Sequence, residues 1–364
     1  MNPKVLFVST QYPPDLGGGP VVAKTIVESL NKYNFNTILL TSCRKENLYS
    51  QSYYYAHIKY LWPFLLAYRI RASLKKHCDI DLIILNDTGS SFAMGLLTKK
   101  HRAKAIPIIH GLEAEKIYLP ATVKSNAIRL FHKRTIVGSR AILAVGEFIN
   151  NKFINLNLGP YIAEKMRWQY IGVDVDRFSS LSAKSGRISS NGITLVTASR
   201  LIWEKGFRSK IGIFTELIDR GESFRWIIVG DGPNRQEIED SLRQYEDHVE
   251  FVGAKDHQSL TRIYSDADIF WLLSDYDEAL PLSYLEAQAC GLPCIGRCRG
   301  GVKETISSKT GYLVSSDDEC LRILSNWTET FRDFCGESIR SSVKEKFDKN
   351  LNMDGLSKWL RTLM

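Results

Sequence analysis

Short apolar runs recur along this chain, and longer amphipathic stretches separate them. Lys4–Ser9, Thr37–Thr41, Asp81–Leu85, Ala105–Ile109 and Ala141–Val145 are each too short for a helix, and most are apolar throughout rather than at alternate positions. Continuous apolarity marks strands buried on both faces, which is the condition inside a parallel sheet covered by helices. Pro20–Tyr33 carries the helical spacing between the first two runs. The rhythm predicts an α/β fold of the doubly wound kind. It breaks at Ser179–Asn191, a stretch rich in Ser, Gly, Lys and Arg, which reads as a linker or long loop. It then restarts with Ile193–Ala198, Trp226–Val229, Val249–Val252, Ile269–Leu273 and Pro293–Gly296. We therefore expect domains at 1–178 and 179–350, with a terminal helix over Leu351–Met364. In open α/β sheets ligands bind outside the carboxyl ends of the strands, so the residues after each run are the first places to look for chemistry.

Composition excludes several classes. At 364 residues, 44% hydrophobic and 24% charged, the chain is neither disordered nor collagen-like. No apolar run reaches the roughly 18 residues of a spanning helix. The apolar start Val5–Val8 is too short for a signal peptide. Seven cysteines without framework spacing suit a reduced, cytoplasmic setting. Charge is uneven: residues 1–180 hold 24 Lys+Arg against 12 Asp+Glu, a formal +12, and residues 181–364 hold 24 against 28, a formal −4. With no zinc-finger spacing and no RNA-recognition aromatic signature, nucleic acid is not the expected partner of the basic half. Tyr53–His77 instead mixes Tyr54, Tyr55, Tyr60, Trp62, Phe64 and Tyr68 with Arg69, Arg71, Lys75 and Lys76. That composition suits an anionic membrane surface, and equally a part-buried helix with a solvated basic face.

Five segments carry candidate chemistry. Gly17-Gly18-Gly19-Pro20 follows a strand and opens a helix, where glycine and free helix amides admit an anion; a tight turn would use the same glycines. Arg200 and Lys205 follow the strand Ile193–Ala198, and a guanidinium fork beside a mobile ammonium suits a diphosphate, although a solvated loop has the same look. Glu278 precedes a helix opened near Pro281 and closed by Gly291, and Glu286 falls in its second turn. A phosphate on the helix amides between two carboxylates that accept from hydroxyls matches the layout of a nucleotide sugar; alternatively Glu278 caps the helix and Glu286 is only exposed. Gly230-Asp231-Gly232-Pro233 reads first as a chain reversal. His110 ends the strand Ala105–Ile109 and faces the ligand side, or is a structural histidine.

Together, in order and at matching spacing, these segments resemble retaining glycosyltransferases of the family 4 type, which have the GT-B fold. Glu278 and Glu286 match the family's glutamate pair, and Arg200 and Lys205 its basic pair. Gly253, Gly300-Gly301, Glu304 and Ile171-Gly172-Val173-Asp174 also fall at familiar positions. The resemblance implies two Rossmann-like domains facing across a cleft, with the terminal helix crossing back to the first. It implies that Arg200 and Lys205 hold the diphosphate, Glu278 the transferred sugar and Glu286 the ribose, with His110 near the sugar. Gly18, Gly19, Leu280 and Leu282 count with the donor-binding residues, and Ala254 and Lys255 stand where the base is cradled. The implied partners are a UDP- or GDP-linked sugar and a glycan or lipid-diphosphate-linked acceptor. The implied setting is bacterial surface polysaccharide or lipopolysaccharide assembly, in the cytoplasm or peripheral on the inner face of the plasma membrane.

The expected reaction moves a hexosyl or N-acetylhexosaminyl group with retention. The departing phosphate takes the acceptor's proton, and no cofactor or metal is expected. Asp79/Asp81, Asp174/Asp176, Asp266/Asp268 and Asp275/Asp277 repeat an Asp-x-Asp pattern, but the basic pair already neutralises phosphate. Cys290, Cys294 and Cys298 straddle a helix end, a turn and a strand, which argues against a shared metal. A sugar-nucleotide epimerase of the same fold and a catalytically inactive glycan-binding domain remain as alternatives. A nicotinamide dehydrogenase lacks its Gly-x-Gly-x-x-Gly corner.

Overall fold

The computed structural model describes residues 2–13, 18–42, 52–55, 61–111, 117–118, 123–178 and 192–364. Its contacts divide into two units, Met1–Ile171 with Asn350–Met364, and Gly172–Lys349. Each is built on one parallel sheet.

The first unit holds β1 (Lys4–Ser9), β2 (Asn36–Thr41), β3 (Ser52–Tyr54), β4 (Leu82–Leu85), β5 (Ala105–Ile109), β6 (Ile142–Ala144) and β7 (Met166–Trp168). They lie in the order β3-β2-β1-β4-β5-β6-β7. The second holds β8 (Ile193–Ala198), β9 (Phe224–Val229), β10 (Val249–Gly253), β11 (Ile269–Leu272), β12 (Cys294–Arg297) and β13 (Gly311–Val314), in the order β10-β9-β8-β11-β12-β13. Both orders reverse beside the first strand of the unit. Those reversals, β1/β4 and β8/β11, are the switch points where such sheets take ligands.

Every strand read from the sequence is present. The three that were not read, β3, β7 and β13, all lie at sheet edges. An edge strand is covered on fewer sides, so Met166-Arg167-Trp168 and Ser52-Tyr53-Tyr54 carry no continuous apolar signal. The Ser179–Asn191 break lies outside the described residues.

The central strands read as expected because they are dry: Val5, Leu6, Phe7 and Val8 are fully buried, as are Phe270, Trp271 and Leu272. The second unit packs around Trp226, whose ring lies 5.0 Å from Trp271 and 5.4 Å from Phe214, centroid to centroid. The buried Trp226 Nε1 donates to Thr197 Oγ1 at 3.1 Å, so its one polar atom is satisfied. The helix Lys349–Thr362 docks on the first unit: Lys32 Nζ donates to Asn350 Oδ1 at 2.8 Å and Gln169 Nε2 to Asn352 Oδ1 at 2.6 Å. The Gly-Val-Asp segment belongs to the second unit, where Lys349 N donates to Val173 O at 2.9 Å and Lys349 Nζ pairs with Asp174 Oδ2 at 2.7 Å. No helix among the described residues is long and apolar enough to cross a membrane.

Candidate functional site

At the carboxyl end of β8 the chain turns through Ser199–Leu201 and a short helical turn, Trp203–Lys205. At the carboxyl end of β11 it runs through Ser274–Leu280 into the helix Leu282–Ala289, with Pro281 at the cap. The two loops meet. Lys205 Nζ lies 2.7 Å from Glu278 Oε2. The other carboxylate oxygen of Glu278 accepts from Ser274 Oγ. The backbone joins them as well, because Asp275 N donates to Glu204 O at 2.9 Å. Both side chains of the pair are mostly buried, at 14% and 9% exposure. Burial pulls the Lys205 ammonium down, while Glu278 and Tyr276 pull it up by more, so its net position is above the ordinary lysine value. The Lys205 ammonium also lies 5.2 Å from the centre of the Tyr276 ring.

Two glycine pairs hold these loops. Gly301 N donates to Glu278 O at 2.7 Å, and a Cβ on Gly301 would fall 1.7 Å from Ala279 O. A side chain there would push the Glu278 loop away. Gly230 and Gly232 act in the same way on the other loop. A Cβ at Gly230 would lie 1.9 Å from Ser199 O, and one at Gly232 would lie 2.4 Å from Leu201 O. The Gly-Asp-Gly-Pro turn is therefore more than a chain reversal, since it clasps the segment that carries Arg200. Leu201 N donates to Asp231 O at 2.9 Å within that clasp.

The expected residues of the second unit stand differently to this contact. Lys205 and Glu278 are in direct contact. Arg200 is exposed on the same loop as Lys205 and makes no ion pair among the described residues. Leu280, on the same loop as Glu278, and Leu282, the first helical residue, flank the buried Pro281 and are half-buried. Glu286 sits in the second turn of its helix and is half-buried, not exposed. Burial pushes its carboxyl up to about 7, against the opposing Arg177 guanidinium. Ala254 and Lys255 are exposed in the loop after β10, with no hydrogen bond to the Lys205–Glu278 pair.

The first unit carries its own cluster at the β1/β4 switch point. Asn86, directly after β4, donates from Nδ2 to Ser9 Oγ at 3.0 Å and to Gly19 O at 3.5 Å. A carbonyl only accepts, so Asn86 Oδ1 faces His110, 3.1 Å from Nε2, and Nε2 carries the proton. Asp87 caps the helix Thr88–Gly95 and accepts from Thr10 N at 2.5 Å, tying the loop after β1 to the end of β4. Gly18 and Gly19 open the helix Gly18–Lys32. Neither has a positive φ, and among the described residues a Cβ on Gly18 would meet nothing within 4 Å. The turn alternative, which needs a positive φ, is thereby removed for these two glycines. Gly17 lies outside the described residues.

The roles of Asn86 and Ser274 escaped the sequence reading, and Gly230–Gly232 was read there as a chain reversal and not as a clasp. Their common signal is position: each begins within two residues of the carboxyl end of a strand. In the Tyr53–His77 stretch, Tyr55 is buried and Tyr53 Oη lies 2.9 Å from His77 Nε2. On the helix Trp62–Lys76 and its cap, Leu61, Phe64 and Tyr68 are 54%, 59% and 68% exposed. Residue 60 and the side chain of Tyr54 lie outside the described residues.

Comparison with known proteins follows the same division. A model described as Glycosyltransferase Family 4 matches residues 16–177. One described as Glycosyl transferases group 1 matches residues 180–322. A putative colanic acid biosynthesis glycosyltransferase, WcaL, of Salmonella typhimurium is 26% identical over 273 residues, which are 72% of this chain and 64% of that protein. A GDP-mannose-dependent monoacylated alpha-(1-6)-phosphatidylinositol monomannoside mannosyltransferase of Corynebacterium glutamicum is 32% identical over 160 residues, 40% of this chain and 42% of that protein. The chain thus spans less than two thirds of the length of these curated relatives. Among solved structures, Anabaena HepE in complex with UDP superposes with a TM-score of 0.79 at 16% identity, covering 99% of this chain and 100% of that one. A likeness at that identity speaks for the fold.

Glu286 gives a testable consequence. The native carboxyl keeps its proton up to about 7, whereas the reference carboxyl releases it near 4.5. The native state therefore loses stability as pH rises through that window and regains it as pH falls, by up to roughly 1 kcal/mol per pH unit. Urea midpoints taken at pH 5 and pH 7.5 should fall less in Glu286→Gln than in the parent. Equal falls would show that Glu286 is not held protonated.

Proposed function

This chain belongs to the glycosyltransferases of the family 4 type, with the GT-B fold, and on that premise we propose that it moves a hexosyl or N-acetylhexosaminyl group from a UDP- or GDP-linked sugar, with retention, to a glycan or lipid-diphosphate-linked acceptor. The observation that carries the reading is the Lys205–Glu278 pair at the β8/β11 switch point, with Arg200 exposed on the same loop as Lys205. Names printed for relatives point the same way: colanic acid biosynthesis for one and a GDP-mannose-dependent transfer for another. The setting we infer is polysaccharide or lipopolysaccharide assembly.

The chemistry follows from charge. As the bond to the sugar breaks, negative charge gathers on the departing diphosphate and positive charge on the sugar ring. Arg200 and Lys205 are aimed at the first, so they bind the transition state more strongly than the ground state. Glu278 is oriented by Ser274 and steadies the second. Lys205 begins paired with Glu278, so the diphosphate shares an ammonium that is already positioned and partly dehydrated. Glu286 receives the ribose hydroxyls. The Gly19–Asn86–His110 cluster of the first unit is assigned to sugar recognition. The leaving phosphate accepts the acceptor's proton, so the scheme needs no protein base.

Lys205→Ala should lower kcat by roughly 10²-fold, the scale of one charge-stabilising donor lost. The assay is release of nucleoside diphosphate from a panel of UDP- and GDP-linked sugars, with the product anomer read by NMR. Unchanged turnover in that variant, or an inverted product, would overturn the scheme.

The same scheme assigns neutralisation of the diphosphate to side chains and not to a cation. Asp174 and Asp176 are engaged by Lys349 and Lys344, and Asp277 by Arg299. Turnover is expected to survive excess EDTA; loss with chelator that Mn²⁺ restores would reverse the assignment.

We also infer a membrane-facing role for the helix Trp62–Lys76. Its exposed Leu61, Phe64 and Tyr68 stand with the exposed Arg69, Arg71, Lys75 and Lys76, a pattern that meets acyl boundary and anionic headgroup together. Cosedimentation with phosphatidylglycerol vesicles should weaken as salt rises. Equal partition onto neutral and anionic vesicles would remove the role.

A further inference from the structure

Lys210 lies on the helix Phe207–Asp219, and its side chain is fully buried. Nζ is 3.5 Å from Thr197 Oγ1. It sits 3.8 Å from the centre of the Phe207 ring and 5.6 Å from that of Trp226. The one proton of the Thr197 hydroxyl goes to Trp271 O at 2.9 Å, and the oxygen already accepts from Trp226 Nε1. Thr197 can therefore only accept from Lys210, and the Lys210 lone pair receives nothing from it. No carboxylate pairs with Lys210 among the described residues. An ammonium in that position would be a buried charge with no carboxylate partner, so burial favours the neutral amine, against the pull of the two ring faces. Burial presses its proton affinity well below that of an ordinary lysine, and the Lys205 ammonium adds to this; Glu278 and Asp275 oppose both.

These charged groups reach Lys210 from two loops: Lys205 from the loop after β8, Glu278 and Asp275 from the loop after β11. On the neighbouring strand β12, Arg297 is engaged with Ser209 at 3.1 Å and with Asp317. In the free protein the Lys205 and Glu278 charges cancel at 2.7 Å. A diphosphate beside them would break that balance. We propose that Lys210 takes up a proton from solvent when a nucleoside diphosphate occupies the site, and so adds a second ammonium behind Lys205. This rests on the donor-binding reading given above. The only transfer is a proton from water or buffer to the Nζ lone pair. A unit negative charge brought within about 8 Å, at an effective dielectric near 20, raises the proton affinity of an amine roughly thirtyfold. Lys210 is a positioning residue on this account: it touches no substrate, and it supplies positive charge only while the diphosphate is there to balance it.

Titration calorimetry of UDP and GDP into the full chain at pH 8.5 tests this, in Tris and in TAPS, whose ionisation enthalpies differ. At that pH the free diphosphate is fully ionised. The parent protein should take up a fraction of a proton per nucleotide bound, at most about 0.7 for a thirtyfold rise in affinity, seen as a buffer-dependent enthalpy. Lys210→Met should bind the same nucleotide up to about tenfold more weakly, with the uptake gone. A parent enthalpy independent of buffer overturns the inference with no variant needed, as does uptake that persists in Lys210→Met. Absence of binding by both nucleotides would instead overturn the donor reading itself.

Discussion

The contact between the Lys205 ammonium and the Glu278 carboxylate organises the second unit around one point. Two charges taken from water gain little unless each has the other and further hydrogen bonds complete the set. Here the second oxygen of Glu278 is met by Ser274, and the loops behind both residues are pinned by main-chain hydrogen bonds. The glycines of the two clasps follow from this demand. Gly301 and Gly232 are small because a carbonyl from a site loop occupies the space a side chain would need. The aromatic core under the site follows too, since it leaves Thr197 as the polar anchor for Trp226 and Lys210.

The first unit solves the same geometric problem with one aspartate and neutral partners. In both sheets the loop after the first strand meets the loop after the strand across the reversal. In one, Thr10 N and Ser9 Oγ are held by Asp87, and Gly19 O by Asn86. In the other, Glu204 O and Lys205 Nζ are held by Asp275 N and Glu278. The reversal leaves a gap in helix cover at the carboxyl ends of the strands, and the side chains around that gap must satisfy one another until a ligand arrives. A guanidinium and an ammonium at one such gap suit a diphosphate, whereas an amide and an imidazole at the other suit hydroxyls.

Much of this was legible beforehand. The central strands announced themselves because burial on both faces forces continuous apolar runs. The terminal helix, the placement of Glu278 before a helix and of Glu286 in its second turn, and the cap at Gly291 followed from local chemistry. The edge strands β3, β7 and β13 were not legible, since three or four half-covered residues impose little on composition. Glu286 was readable as a carboxylate in the right place, but its burial, and the lift of its carboxyl to about 7, depend on neighbours far away in sequence. Lys210 gave no signal at all, because a lysine on an amphipathic helix is ordinarily solvated; only the packing of Phe207 and Trp226 around it shows otherwise.

What the sequence determined by itself is the class of fold, the order of its strands along the chain, and which residue types stand after them. These are local matters: periodicity, capping and glycine placement act over a few residues. Only the tertiary structure decided which of those residues touch. The 73 positions between Lys205 and Glu278, and the 77 between Ser9 and Asn86, are closed by parallel pairing of strands that are not neighbours in sequence. Hydrogen bonding between strands and exclusion of water from the sheet set those distances, and neither is written at any single position.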